Sequence, residues 1–311
     1  MPNLVDGGSA FVAGGIEDMP RGPLSPDEEP RLLHASSAQS GNGRRRLLAG
    51  AIVCAVVLAG VAIAGRMLDG AAVAVDFSAK NLAPSARHVF GTDWMGRDML
   101  SRALAGLSTS VLVGLVSAAV SSVIALVLAS VAALGGSRAD AVVEWLIDLV
   151  MGIPHIVLLI LISYALGRGF WGVTVGVAVT HWPSLTRVLR AEILQVKNQP
   201  YIASSRALGV SRARIARDHM LPAVLPQYLV GLVLLFPHAI LHEASITFLG
   251  FGLSPEQPAI GVILSEAMTY LTSGAWWLAV FPGAALLLVV LLFDRLGGLV
   301  RGLLSPGEVQ L

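Results

Sequence analysis

Five ionisable side chains, His155, His181, His238, His242 and Glu243, lie in otherwise apolar stretches of this chain. At the centre of a bilayer a charged group costs roughly 2.5–3.5 kcal/mol on insertion scales, so such residues face a bundle interior or a water-filled path. His238 and His242 are four residues apart and therefore share one face of a helix. An imidazole pair at that spacing suits a borderline divalent metal such as nickel. The alternative is packing, with each ring donating to a carbonyl across the bundle. Two histidines do not close a metal site, and a conducting path needs release as well as binding. Met151, Met220 and Met268 add soft atoms nearby, although methionine in helices commonly fills gaps.

A second group of residues suits mechanical work. Tyr201–Pro222 is a basic segment between two apolar runs, and it carries Arg206, Arg212, Arg214 and Arg217. A segment so charged stays in water. Ala203, Ser204 and Ser205 are small enough for a short helix to approach another surface, and Gly209 permits a turn at positive φ. Leu221-Pro222 then reopens an apolar helix, with Pro tolerated in its first turn. The arginines suit an acidic groove, or else topology and lipid headgroups. No enzyme emerges. There is no GxxxxGK[ST] loop, no CxxC and no HExxH. An intramembrane hydrolase built on Ser163 or Ser245 with a histidine lacks a supporting glycine context.

The elements that position these residues follow from hydropathy. The chain has 55% hydrophobic and 13% charged residues. Six runs, 47–65, 103–136, 149–167, 169–186, 221–241 and 267–293, each hold 18 or more residues free of Lys, Arg, Asp and Glu. About 20 apolar residues cross a bilayer as helix, so the expectation is an all-α membrane protein with six transmembrane helices. Pro154, Pro183, Pro226 and Pro237 fall in or beside these runs and predict kinks. With the N-terminus inside, only Arg66, Lys80, Arg87, Arg97, Arg102 and Arg168 of the 21 Lys and Arg residues stay outside. The positive-inside rule therefore places both termini in the cytoplasm. Residues 1–46 read as a disordered cytoplasmic tail, 47–68 as the first transmembrane helix, 69–102 as an external segment, and 103–306 as a five-helix core with a cytoplasmic loop at 197–222. Arg44-Arg45-Arg46 before an apolar run imitates a signal peptide, but the run is a full span and begins some 45 residues in. The lone Cys54 excludes an intrachain disulfide.

The external segment contains Gly91, Thr92, Asp93, Gly96, Arg97 and Asp98, followed by Ser101-Arg102. Its physical reading is a helix start capped by Thr92 or Asp93, with Asp98 and Arg102 paired four apart. This GTDxxGRD pattern resembles that of one partner permease in the peptide/nickel class of ABC importers. The basic loop is similar to their EAA loop. Ala203, Ser204 and Ser205 stand at the Glu-Ala-Ala places, Gly209 at the glycine, His219 at the Ile and Leu221-Pro222 at the end. Ser245–Leu253 resembles the ASxxFLGxG element of the same class, and the likeness runs from about residue 88 to Leu304-Ser305-Pro306.

The resemblance implies a type I importer core and a non-catalytic subunit in the cell inner membrane. It also implies several partners: a second homologous permease, cytoplasmic ABC ATPases that use ATP and Mg, and an extracytoplasmic solute-binding protein. The chain itself is expected to bind no cofactor and no nucleic acid. Coupling to the ATPase would fall on Ala203, Ser204, Ser205, Arg206, Gly209, Leu221 and Pro222. The substrate path would include His181, His238, His242 and Glu243. Thr180-His181-Trp182 and Leu241-His242 look more like the nickel branch than the dipeptide branch, so nickel or a small metal chelate is expected ahead of short peptides.

Overall fold

A computed structural model describes residues 28–304, with side chains from Gly43 onward apart from Arg212. Most of the expected disordered tail lies outside the described residues. The first helix, α1, nevertheless spans Glu28–Met67, so helix begins before the expected start at residue 47. A short α2 (Asp69–Val73) follows, and then α3 (Met99–Leu134). The next pieces are α4 (Ser137–Met151), α5 (His155–Ala165), α6 (Phe170–Thr180) and α7 (Trp182–Lys197). Two short helices, α8 (Pro200–Ala207) and α9 (Arg212–Ile215), lead through one wide turn at Ala216–Met220 into α10 (Leu221–Phe248). The order ends with α11 (Ile260–Tyr270) and α12 (Trp277–Leu304).

Four of these helical stretches are long and apolar enough to cross a membrane: Gly43–Met67, Met99–Leu134, Ala213–Phe248 and Trp277–Leu304. A fifth arises if α4 and α5, bent by 90°, count as one broken span. Four or five of the six expected spans thus meet the length and composition of a crossing among the described residues, and the reasons for the difference are local. Gly152-Ile153-Pro154 splits the third apolar run, because a residue before proline is pushed out of the helical region. The fourth run breaks at His181, where α6 stops and α7 starts with Pro183 in its first turn. The last run was expected from residue 267, but its helix begins at Trp277, after Gly274 turns the chain at φ +85°. Pro226 and Pro237, by contrast, sit inside α10 without ending it.

The third helix is the hub, packing against α6, α7, α10 and α12. Its buried stripe Ala103, Gly106, Ser110, Gly114, Ser117, Ser121 and Ala125 repeats every three or four residues with small side chains. In lipid, where apolar exclusion gives no net drive between helices, such stripes let backbones approach and gain dispersion. A Cβ added at Gly106 would sit 2.9 Å from the Ile260 backbone nitrogen, and one at Gly114 would sit 2.6 Å from a side-chain carbon of Ile240. Hydroxyls stitch the same surfaces. Ser108 Oγ donates to Ala62 O at 2.8 Å, and Ser117 Oγ donates to Thr174 O at 3.0 Å. Gly106→Val is accordingly expected to destabilise the bundle by about 1–3 kcal/mol through overpacking against backbone that cannot yield. A lowered melting temperature of the detergent-solubilised variant checks this, with Ser108→Ala as the milder comparison.

Apolar packing gathers in two large clusters, with two smaller ones around Leu159 and Val177 and around Leu253 and Ala259. One large cluster joins α3, α4, α7, α8, α9 and α10 around Ile147, Leu189, Ile202 and Ile215. The other joins α1, α3, α10, α11 and α12 around Leu58, Met99, Ile240, Ile260 and Phe293. The histidines lie at neither centre.

Candidate translocation site, coupling surface and family

The breaks in the third and fourth runs bring histidines together. His155 opens α5 directly after Pro154, His181 occupies the joint between α6 and α7, and His242 comes from the C-terminal part of α10. Their ring centroids are 4.4–4.9 Å apart and the rings stand nearly perpendicular to one another. All three line a cavity of about 580 Å³, together with His238, Thr180, Ser184 and the Gly152-Ile153-Pro154 break. Two rings are oriented by backbone. His181 Nδ1 donates to Val177 O at 2.9 Å, and His242 Nδ1 donates to His238 O at 2.8 Å. A carbonyl only accepts, so these bonds put the proton on Nδ1 and the lone pair on Nε2; His181 Nε2 in turn lies 3.3 Å from His242 Nδ1.

The pairing expected from the sequence was His238 with His242. The structure places both on the cavity wall, but the ring-to-ring contacts of His242 are with His155 and His181, and His238 meets it through its backbone carbonyl. The helix breaks are what make the difference, since one-dimensional spacing cannot show which residues a bend brings together. Glu243 is separate. It is fully buried, accepts a hydrogen bond from Thr247 Oγ1 at 2.9 Å and is not among the residues lining the histidine cavity. Ser163 and Ser245 donate to Phe251 O and Leu241 O, and neither lines that cavity.

The GTDxxGRD residues form a knot of charge. Asp93 Oδ2 accepts from Arg97 Nε and from Arg102 Nη1, both at 2.6 Å. Its Oδ1 accepts the backbone N–H groups of Met95 and Arg97 at 2.8 and 2.9 Å. Glu266 of α11 closes the set by accepting from Arg102 at 2.9 Å and Arg97 at 3.3 Å. Asp93 and Arg102 are 1% and 3% exposed, so this is an ion network withdrawn from water. Gly96, at φ +77°, turns the chain so that Asp93 faces Arg102, and its missing side chain leaves room for the Asp76 carbonyl. Thr92 and Asp98 form a single antiparallel bridge, and Thr92 Oγ1 donates to Ala79 O. Trp277 Nε1 donates to Thr92 O at 3.3 Å, which ties the knot to the start of α12.

The expected cap and ion pair are corrected by this geometry. Asp98, not Thr92 or Asp93, caps α3 by accepting from the Ser101 N–H at 2.9 Å. Arg102 points to Asp93 and Glu266 and makes no pair with Asp98. Burial raises the Asp98 carboxyl, but hydrogen bonds from Ser101 and from His88, 3.0 Å away, outweigh it and hold the group below the usual carboxylate range. Sequence reasoning missed Glu266. The available signal was a lone acid in an otherwise apolar helix, which demands a cationic partner.

The basic loop folds as a short helix with a defined stop. Gly209 stands at φ +80°, its N–H donates to Arg206 O at 3.0 Å, and the Val210 N–H donates to Ser205 O at 3.1 Å. That pair of bonds is a Schellman ending, which requires a left-handed residue after the helix. Ile202 is fully buried and anchors α8 to Ile215 and Met220. Ala203, Ser204 and Arg206 face outward, and Leu208 is 83% exposed. Ser204 and Ser205 fold their hydroxyls back onto Pro200 O and Tyr201 O, which leaves a smooth, small-residue surface. Tyr201 meets His219 edge to face at 6.0 Å, and Leu221-Pro222 form the first turn of α10.

Residues 121–304, more than half the chain, match the family described as binding-protein-dependent transport system inner membrane component. The chain belongs to that family. This permease is 30% identical over 280 residues to the dipeptide transport system permease protein DppC of Bacillus subtilis strain 168, covering 90% of this chain and 88% of the relative. It is 34% identical over 233 residues to the probable D,D-dipeptide transport system permease protein DdpC of Escherichia coli K12, covering 75% and 77%. Among solved structures, an amino acid ABC transporter determined with histidines superposes with a TM-score of 0.54 at 18% identity, covering 65% of this chain and 94% of that one. The MetNI methionine ABC transporter, in an inward-facing form, gives 0.52 at 20% identity, covering 66% and 97%. At that identity the structural likeness shows the permease fold alone. The named relatives are peptide and dipeptide permeases, whereas the histidines had put nickel first. The nickel expectation finds no support among them.

Proposed function

We propose that this permease forms one half of the translocation pathway of an ATP-driven importer whose cargo is short peptides. Its partners are a second homologous permease, a pair of cytoplasmic ATPases that bind ATP and Mg, and a solute-binding protein on the outer face of the inner membrane. The observation that carries the coupling is α8, an exposed helix held from beneath by Ile202 and stopped by Gly209 within the matched family region, and the peptide cargo is supported by the dipeptide permeases it resembles. Closure of the ATPases would press on Ala203, Ser204, Ser205 and Arg206 and move α10 through Leu221-Pro222. The permease halves would then expose the central cavity to the binding protein, and hydrolysis would return them. The charge knot of Gly91, Thr92, Asp93, Gly96, Arg97 and Asp98 would brace the outer ends of α3, α11 and α12 during that rocking.

The accompanying topology has six crossings, with the broken α4–α5 and α6–α7 pairs as the third and fourth, and both termini cytoplasmic. Cysteine labelling tests it directly. A cysteine at Ser211 should react with a membrane-impermeant maleimide only after the cells are opened, and one at Ser254 should react in intact cells. Labelling of the Ser211 position from outside would sink the topology and the coupling role with it. A second reading, import of nickel or a small metal chelate, is favoured by one observation, the meeting of His155, His181 and His242.

A further inference from the structure

We infer that His155, His181 and His242 form an open three-imidazole site for a borderline divalent transition-metal ion at the wall of the central cavity. Each residue offers one ring nitrogen, and these atoms lie within 4.8 Å of one another. Two nitrogens bound to one ion at about 2.0–2.1 Å sit about 3.3–3.4 Å apart in tetrahedral geometry. Side-chain rotations that bring the rings inward by about an ångström therefore complete the ligand set.

Three features separate this arrangement from chance packing of aromatic rings. The ligands come from three separate stretches, the start of α5, the α6–α7 joint and α10, and two of these are breaks in apolar runs, so the breaks serve to converge them. His181 and His242 each donate Nδ1–H to a carbonyl one turn back, the outer-shell bond that fixes a metal-binding tautomer and aims Nε2. Finally, His155 Nε2 is buried without a hydrogen-bond partner among the described residues, a costly state for a polar nitrogen unless something else satisfies it. Imidazole donors without thiolate or carboxylate select nickel, cobalt, copper or zinc over magnesium or calcium. Three protein ligands leave at least one position open toward the cavity, as in sites that exchange ligands rather than closed structural ones. A role for such a site in holding an ion in transit rests on the second reading above, import of a metal or its chelate. The binding itself does not.

The test uses the full chain in lipid nanodiscs, purified on a histidine-free tag and titrated with Co²⁺, Ni²⁺ or Zn²⁺ alone. Calorimetry and cobalt absorption read the binding. One equivalent per chain is expected, with visible cobalt bands of low-symmetry nitrogen coordination and no competition from Mg²⁺. His155→Gln, His181→Gln and His242→Gln should each weaken binding roughly tenfold or more. Melting of the metal-free variants, compared with the parent, shows that they fold. Stoichiometric binding that survives in the triple Gln variant, or a parent chain that binds no better than that variant, overturns the site. The two readings fail separately. Absent metal binding beside ATP-dependent peptide uptake removes the site and leaves the permease role, whereas metal binding without any ATP-dependent uptake does the reverse.

Discussion

Asp93→Ala should lower the stability of the folded chain by about 3–5 kcal/mol, the usual cost of removing one partner from a buried ion network. The loss is large because four donors converge on this one carboxylate: two guanidinium groups and the N–H groups of Met95 and Arg97. Without it, Arg97 and Arg102 share only Glu266, and Arg102 is 3% exposed with little water to replace what is gone. Asp93→Asn keeps an acceptor for the backbone N–H groups and should fall between the parent and the alanine variant. Glu266→Gln should cost least, since the Glu266 carboxylate is 27% exposed and its neighbours retain Asp93. Thermal melting in detergent ranks the three. Equal melting of Asp93→Ala and the parent would mean that the knot does not brace the outer end of the bundle.

The second large effect is on transport. Arg206→Glu reverses the charge that α8 offers to an ATPase groove, and like charges facing one another oppose docking. Gly209→Val acts differently. A β-branched residue at φ +80° is a genuine outlier, so valine there must undo the Schellman ending or strain it. Space is not the obstacle, because nothing approaches within 4 Å of an added Cβ. The protein should therefore insert and accumulate normally in both variants while ATP-driven uptake is lost. Gly209→Asn, which tolerates the left-handed region, should keep most of the activity.

Much of this organisation was legible in the residues. Uncharged runs marked the long helices at 47–65, 103–136 and 221–241, because a bilayer span needs a length of apolar sequence and little else. Gly209 announced its own turn, since only glycine adopts that conformation freely. The broken spans were less legible. Composition alone does not separate an uninterrupted helix from two short ones meeting at Gly152-Ile153-Pro154 or at His181, and Pro226 and Pro237 show that proline by itself does not decide. The histidine trio followed from those breaks. His155, His181 and His242 were each conspicuous as ionisable groups in apolar surroundings, yet their meeting is a long-range contact between three helices that no periodicity encodes. The same holds for Glu266, which lies 173 positions beyond its cluster mate Asp93 in the sequence.

Reconstitution into proteoliposomes tests the central claim most directly. The permease would be assembled with its partner permease and the ATPases, supplied with binding protein loaded with a labelled dipeptide, and compared with Arg206→Glu and Gly209→Val. Accumulation of the peptide should require ATP and Mg on the α8 side and should be lost in both variants despite normal insertion. Accumulation without ATP, or undiminished uptake in both variants, would contradict it.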